Sequence, residues 1–148
     1  MTEAKPHLYR MAAMATHSRE TKVWQEAIGL AGDVIRVVRR ATRRETKAFT
    51  DALMLSASAV ASAIAEAPTR SNTQEERECY ARARRSLVAV ETQLAIARVS
   101  GIIPSSVHAQ LAARVASLSQ RVTNAVNATE RPSYGRSPTA ELPLLEDS

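Results

Sequence analysis

Residues 80–97 read YARARRSLVAVETQLAIA, and Tyr80, Ala83, Leu87, Val90, Leu94 and Ala97 recur there at alternating steps of three and four. That rhythm keeps one stripe of an α-helix apolar, because about 3.6 residues complete a turn. A strand would need alternation at every second residue, which the stretch lacks. Punctuation on both sides supports the helix. Thr73 and Glu76 stand in capping-box spacing at its start, so Thr73 is the expected N-cap. Gly101 closes it where a left-handed cap is required, with Ile102 available for the apolar contact that accompanies such a cap.

Working outward, Pro104 presets the first turn of a following helix whose stripe is Val107, Leu111, Val115, Leu118, Val122 and Ala125. Ser105 and Ser106 are helix-start chemistry rather than nucleophiles. Upstream, Pro68 stops a helix running from about Thr46 to Glu66 along Phe49, Leu53, Ser56, Val60 and Ala63. That helix is dense in Ala and Ser, and Ala57, Ala61 and Ala65 at steps of four let a neighbour approach closely. The first helix, from about Thr21 to Ala41, is expected to bury Trp24, Ile28, Ala31, Ile35 and Val38.

Long helices joined by connections of about five residues must pack as antiparallel neighbours, since such loops cannot cross the length of a bundle. The predicted fold is therefore all-α, an antiparallel up-down-up-down four-helix bundle over residues 22–129. Residues 1–21 show no sustained period and read as a loosely ordered arm. Residues 130–148, broken by Pro132, Gly135, Pro138 and Pro143, read as a disordered tail.

Composition agrees with this class. The 148 residues suit a single core, and 45% of them are hydrophobic but only 3% aromatic, as close helix packing prefers and a β-sandwich does not. Cys79 is the only cysteine, which rules out an intrachain disulfide and suits a reducing compartment, so the cytoplasm is the expected location. The apolar run Met11 to Ala15 is too short for a secretory or membrane segment, and no membrane association is expected.

The order of several short motifs resembles a known family. Lys22-Val23-Trp24-Gln25-Glu26-Ala27 resembles the KVWQKA opening of the bacterial four-helix bundle proteins encoded by intervening sequences in 23S ribosomal RNA genes. Ile64-Ala65-Glu66 with Arg70, then Ala83 to Leu87, then Glu91-Thr92-Gln93-Leu94 follow in the order of that family's further signatures. The resemblance covers about Lys22 to Asn127, and its specificity lies in the conjunction. The chain departs from the family at Met54-Leu55, where an Arg-Arg pair is usual, and at Ala67, where a glycine is usual. It is similar also to the accessory variability determinant of diversity-generating retroelements. In both branches the resemblance implies a homopentamer.

Catalysis needs converging groups, and few are on offer. His108 is the only histidine between Lys22 and Asn127, and no Glu-x-x-His occurs, so neither an imidazole pair nor a di-iron site is expected. Arg82 lies one turn from Cys79 and favours a thiolate, but no base accompanies them. No enzyme, cofactor, metal or small-molecule substrate is therefore expected.

Charge is the functional feature. The net charge is +5, and Arg36, Arg39, Arg40, Arg43, Arg44 and Lys47 gather at the end of the first helix and its loop. Such a group complements the negative end of a helix dipole, and it can equally contact phosphates without reading bases. Arg82 and Arg85, with Arg77 and Arg84, form a second basic group placed by antiparallel packing at the opposite end. Aromatic platforms for stacking bases are absent from both. Glu66, Arg70, Glu91 and Gln93 read as structural polar pairs or interface residues, Glu66 and Arg70 being close enough to pair. Two roles follow: association with RNA or a ribonucleoprotein through the arginines, or a protein-interaction module whose charge keeps it in solution.

Overall fold

A computed structural model describes residues 21–130. They form four α-helices: α1 (Lys22–Ala41), α2 (Lys47–Glu66), α3 (Thr73–Val99) and α4 (Ser105–Glu130). No strand occurs among the described residues. Single 3-10 turns at Arg44–Thr46 and Ala67–Thr69 fill the first two connections. Residues 1–20 of the arm and 131–148 of the tail predicted from sequence lie outside the described residues, while Thr21, assigned to the arm, is the N-cap of α1.

Each helix packs against the next in the chain, and α4 returns to α1 to close the bundle. Two ion pairs fix the sense of that closure. Glu26 of α1 meets Arg121 of α4 at 2.8 Å, and Asp33 meets Arg114. Position rises along α1 as it falls along α4, so the two helices run antiparallel.

Local chemistry explains the helix ends. The Thr21 hydroxyl accepts from Trp24 N at 3.3 Å and caps α1. Gly101, at φ +81°, ends α3 in a Schellman arrangement, with Ile102 N donating to Ala97 O at 2.8 Å and Gly101 N to Arg98 O at 3.1 Å. At the start of α3 the sequence expectation is corrected. Asn72, not Thr73, is the N-cap, its side chain accepting from Glu75 N at 2.9 Å. Asn is at least as good a cap as Thr, and placing it there leaves Thr73 inside the first turn.

The core is aliphatic. Leu30, Val34, Val38, Leu53, Val60, Leu87, Val90, Leu94, Leu118 and Val122 are almost completely buried at its centre. The stripes expected for α3 and α4 are the buried ones, save that Tyr80, Val107 and Ala125 are half-buried and Cys79 joins the core. In α1 the buried face is rotated from the expected one. Ala27, Leu30, Ala31, Val34 and Val38 point inward, whereas Ile28 is 47% exposed and Ile35 half-buried. The physical reason is close approach: Ala27 and Ala31 let the α1 backbone come near its neighbours, which two isoleucines on the seam would prevent. In α2 the seam shifts too, with Thr50 and Ala57 fully buried while Phe49 and Ser56 are half-buried. Thr50 is the one buried polar side chain among the described residues. Its hydroxyl reaches the Lys47 and Thr46 carbonyls and accepts from the Thr42 hydroxyl at 3.0 Å, stitching the end of α1 to α2.

By length and composition α2 is also able to cross a membrane, its most apolar 18-residue window having a mean hydropathy of 1.5. Its apolar residues Leu53, Val60, Ala61 and Ile64 are spent inside the bundle.

Candidate nucleic-acid interface

The first basic group is brought together at one end of the bundle. Arg36, Arg39 and Arg40 occupy the last turns of α1, Arg43 and Arg44 the connection, and Lys47 the first residue of α2. All six are exposed. They differ in how far they are already neutralised. Arg36 pairs with Asp33, and Lys47 pairs with Asp51 at 2.6 Å. Arg39, Arg40, Arg43 and Arg44 have no acidic partner among the described residues, and Glu45 beside them holds none of them. Positive charge in the last turn of α1 is partly absorbed by the helix dipole, an effect of about 0.3–1 kcal/mol per charge. Arg43 and Arg44 lie past the helix end and are free to face a solvated anion.

Arg82 belongs to the other end, where it meets Glu66, and Arg85 lies further along α3 beside the middle of α2. The α1–α2 and α2–α3 connections stand at opposite ends of α2, whose 20 residues span about 30 Å. The eight residues singled out as phosphate contacts thus form two separate surfaces. The second is much the weaker in free charge. Arg82 gives one nitrogen to Glu66 at 2.8 Å and another to the Cys79 sulfur at 3.2 Å, and Arg70 also grips Glu66, at 3.0 Å. Only Arg84 and Arg85 stay unpaired there among the described residues. These contacts hold both guanidiniums still further from deprotonation, Arg70 chiefly through Cys79 and Arg82 chiefly through Glu66.

Glu66 and Arg70 pair as expected, and Glu66 also gathers Arg82 beside buried Cys79. Glu91 and Gln93 do not join them. From Cys79 to Glu91 is about 18 Å along α3, and Glu91 is exposed without an ion pair among the described residues. Gln93 is half-buried, and its side-chain carbonyl has no partner there. The four residues are therefore one ion-pair cluster and two independent positions.

Sequence reasoning missed Arg114 and Arg121. Both sit on α4 and reach across to α1, and Arg114 shares Asp33 with Arg36. The signal was present: Glu26 and Asp33 are seven residues apart on α1, as are Arg114 and Arg121 on α4. Acids and bases at one heptad spacing flank an antiparallel seam and pair across it. Together Arg36, Arg40 and Arg114 border a groove between α1 and α4 with Val37, Val107 and Leu111 in its walls.

The fold and the charges define a basic, all-α four-helix bundle protein. The model of one family, described as 23S rRNA-intervening sequence protein, matches residues 19–124, and the chain belongs to that family. No curated protein matches it.

Proposed function

We propose that the protein is a non-enzymatic oligomer that associates with structured RNA, or with a ribonucleoprotein, through the arginine end of its bundle in the cytoplasm. The observation carrying this reading is the set Arg39, Arg40, Arg43 and Arg44, exposed together and unmatched by acids among the described residues. Asp33, Glu66 and Glu26 each hold arginines elsewhere on the bundle, whereas four neighbouring arginines are left unheld here among the described residues. Such a surface attracts phosphate through charge and counterion release, and without stacking aromatics it favours no base sequence. The test is binding of 23S-like structured RNA and unrelated RNA at low salt by the wild type and by an Arg39→Glu, Arg40→Glu, Arg43→Glu variant. The variant should lose affinity for all sequences alike. Equal binding by variant and wild type would reject the reading.

Oligomerisation has its own support. Leu55 on α2 and Val88, Ile96 and Val99 on α3 are 71%, 61%, 47% and 76% exposed. Ile96 and Val99 share one outer surface with Ala95, Val88 lies two turns earlier on α3 beside Arg84 and Arg85, and Leu55 lies in a groove with Arg82, Arg85 and Ala89. Adjacent exposed aliphatics of this kind mark a surface that another protein surface covers. Copies of the chain cover it in this reading, with five as the number the family resemblance implies. The same strip favours the second reading, a protein-interaction module without RNA. A stoichiometric protein partner that survives nuclease treatment, with no RNA affinity at low salt, would decide for that alternative.

A further inference from the structure

The groove between α1 and α4 has chemistry that a phosphate backbone would use only in part. Three guanidiniums, Arg36, Arg40 and Arg114, border it, while Val37, Val107 and Leu111 supply apolar wall. Asp33, the single acid in its lining, is held by Arg36 and Arg114, so the groove keeps an excess of positive charge. Its natural occupant is an acidic segment that also carries aliphatic side chains. The chain contains one. Residues 141–148 read ELPLLEDS, with Glu141, Glu146 and Asp147, no base, and Leu142, Leu144 and Leu145 between the acids.

We infer that the segment 141–148 of the same chain docks in this α1–α4 groove, its leucines on Val37, Val107 and Leu111 and its acids on the bordering arginines. Reach and spacing both permit it. From Glu130, where the described chain stops, to the level of Arg114 is 16 positions back along α4, about 24 Å. Residues 131–140 can span up to about 33 Å when extended. From Glu141 to Glu146 an extended chain covers about 17 Å. The Asp33–Arg114 pair sets the register, and from its level to Arg40 at the other end of the lining is about 10 Å along α1, the length of the extended leucine run from Leu142 to Leu145. With the leucines along the groove, the acids flank it at either end, beside Arg36 and Arg114 at one and Arg40 at the other. Tethering makes docking intramolecular, at an effective concentration on the order of millimolar, so a few leucine contacts and screened ion pairs suffice. Docked, the segment takes Arg40 out of the free basic surface.

The inference stands apart from the RNA reading, and its test contains no RNA. Methyl-labelled full-length protein is examined for nuclear Overhauser effects between the methyls of Leu142, Leu144 or Leu145 and those of Val37, Val107 or Leu111. They are expected in the wild type and expected to vanish in a Leu144→Asp, Leu145→Asp variant, which alters no core residue. Deleting residues 133–138 leaves a linker of about 13 Å, too short to reach, and must abolish them as well. Absence of these effects in the wild type, with the leucine methyls at random-coil shifts, would overturn the inference. So would their survival in the deletion variant, which would assign the groove to another copy's segment.

Discussion

Single residues carry three expectations that separate conformation, burial and charge. Gly101 adopts φ +81° with no atom near the position a Cβ would take. Gly101→Ala should therefore cost about 1 kcal/mol through backbone conformation alone, read as a fall in the denaturation midpoint at unchanged slope. At Gly29 the sign reverses. A Cβ there would stand 2.9 Å from the Arg114 guanidinium, the movable end of a long side chain. Gly29→Ala should gain up to about 1 kcal/mol of helix propensity while displacing Arg114. Tyr80 is the titrating residue. Burial first, then the nearby Glu76 and Cys79, push its phenol above the ordinary tyrosine value. The folded state then holds the proton more tightly than the unfolded one. That stability is complete below the unfolded value, about 10, and is lost as pH rises through the folded value. In an absorbance titration near 295 nm one of the three tyrosines should ionise late, and Tyr80→Phe should remove that step.

At the scale of elements, most of the molecule was legible because period, caps and breakers agreed. The α3 and α4 stripes came out at the expected phase, since each offers one strong aliphatic row between polar faces. The phase of α1 was not legible in the same way. It carries two overlapping rows, one through Ile28 and Ile35 and one through Leu30 and Val34. Propensity does not choose between them; the closeness of neighbouring backbones does, and that is a property of the assembled bundle. The choice is measurable. Leu30→Ala, at a position 2% exposed, should cost about 2–5 kcal/mol, whereas Ile28→Ala, at 47% exposure, should cost well under half as much. The α1–α4 ion pairs escaped the sequence reading for a related reason, because a heptad match between two helices has meaning only once they are known to be neighbours. Each such half-exposed pair contributes only about 0–1 kcal/mol, so they specify alignment more than they stabilise.

For the whole molecule, two distinct features lie on different faces: free arginines at one end and exposed aliphatics along α2 and α3. If copies assemble through the aliphatic strip, Val88→Asp with Val99→Asp should reduce the mass seen by light scattering to one chain while leaving the helical circular dichroism unchanged. A wild type that is monomeric at micromolar concentration would remove the oligomer from the account. The basic residues were visible in the sequence, yet their division into two ends, and the neutralisation of Arg82 by Glu66 and of Arg36 by Asp33, belonged to the folded state. What distinguishes a phosphate-binding end from a merely charged one is the release of counterions. The decisive measurement is the affinity for structured RNA as a function of salt. The account predicts a linear decline of log affinity with log salt, shallower by about 2–3 when Arg39, Arg40 and Arg43 are changed to Glu. No affinity at low salt, or a slope indifferent to that change, would contradict it.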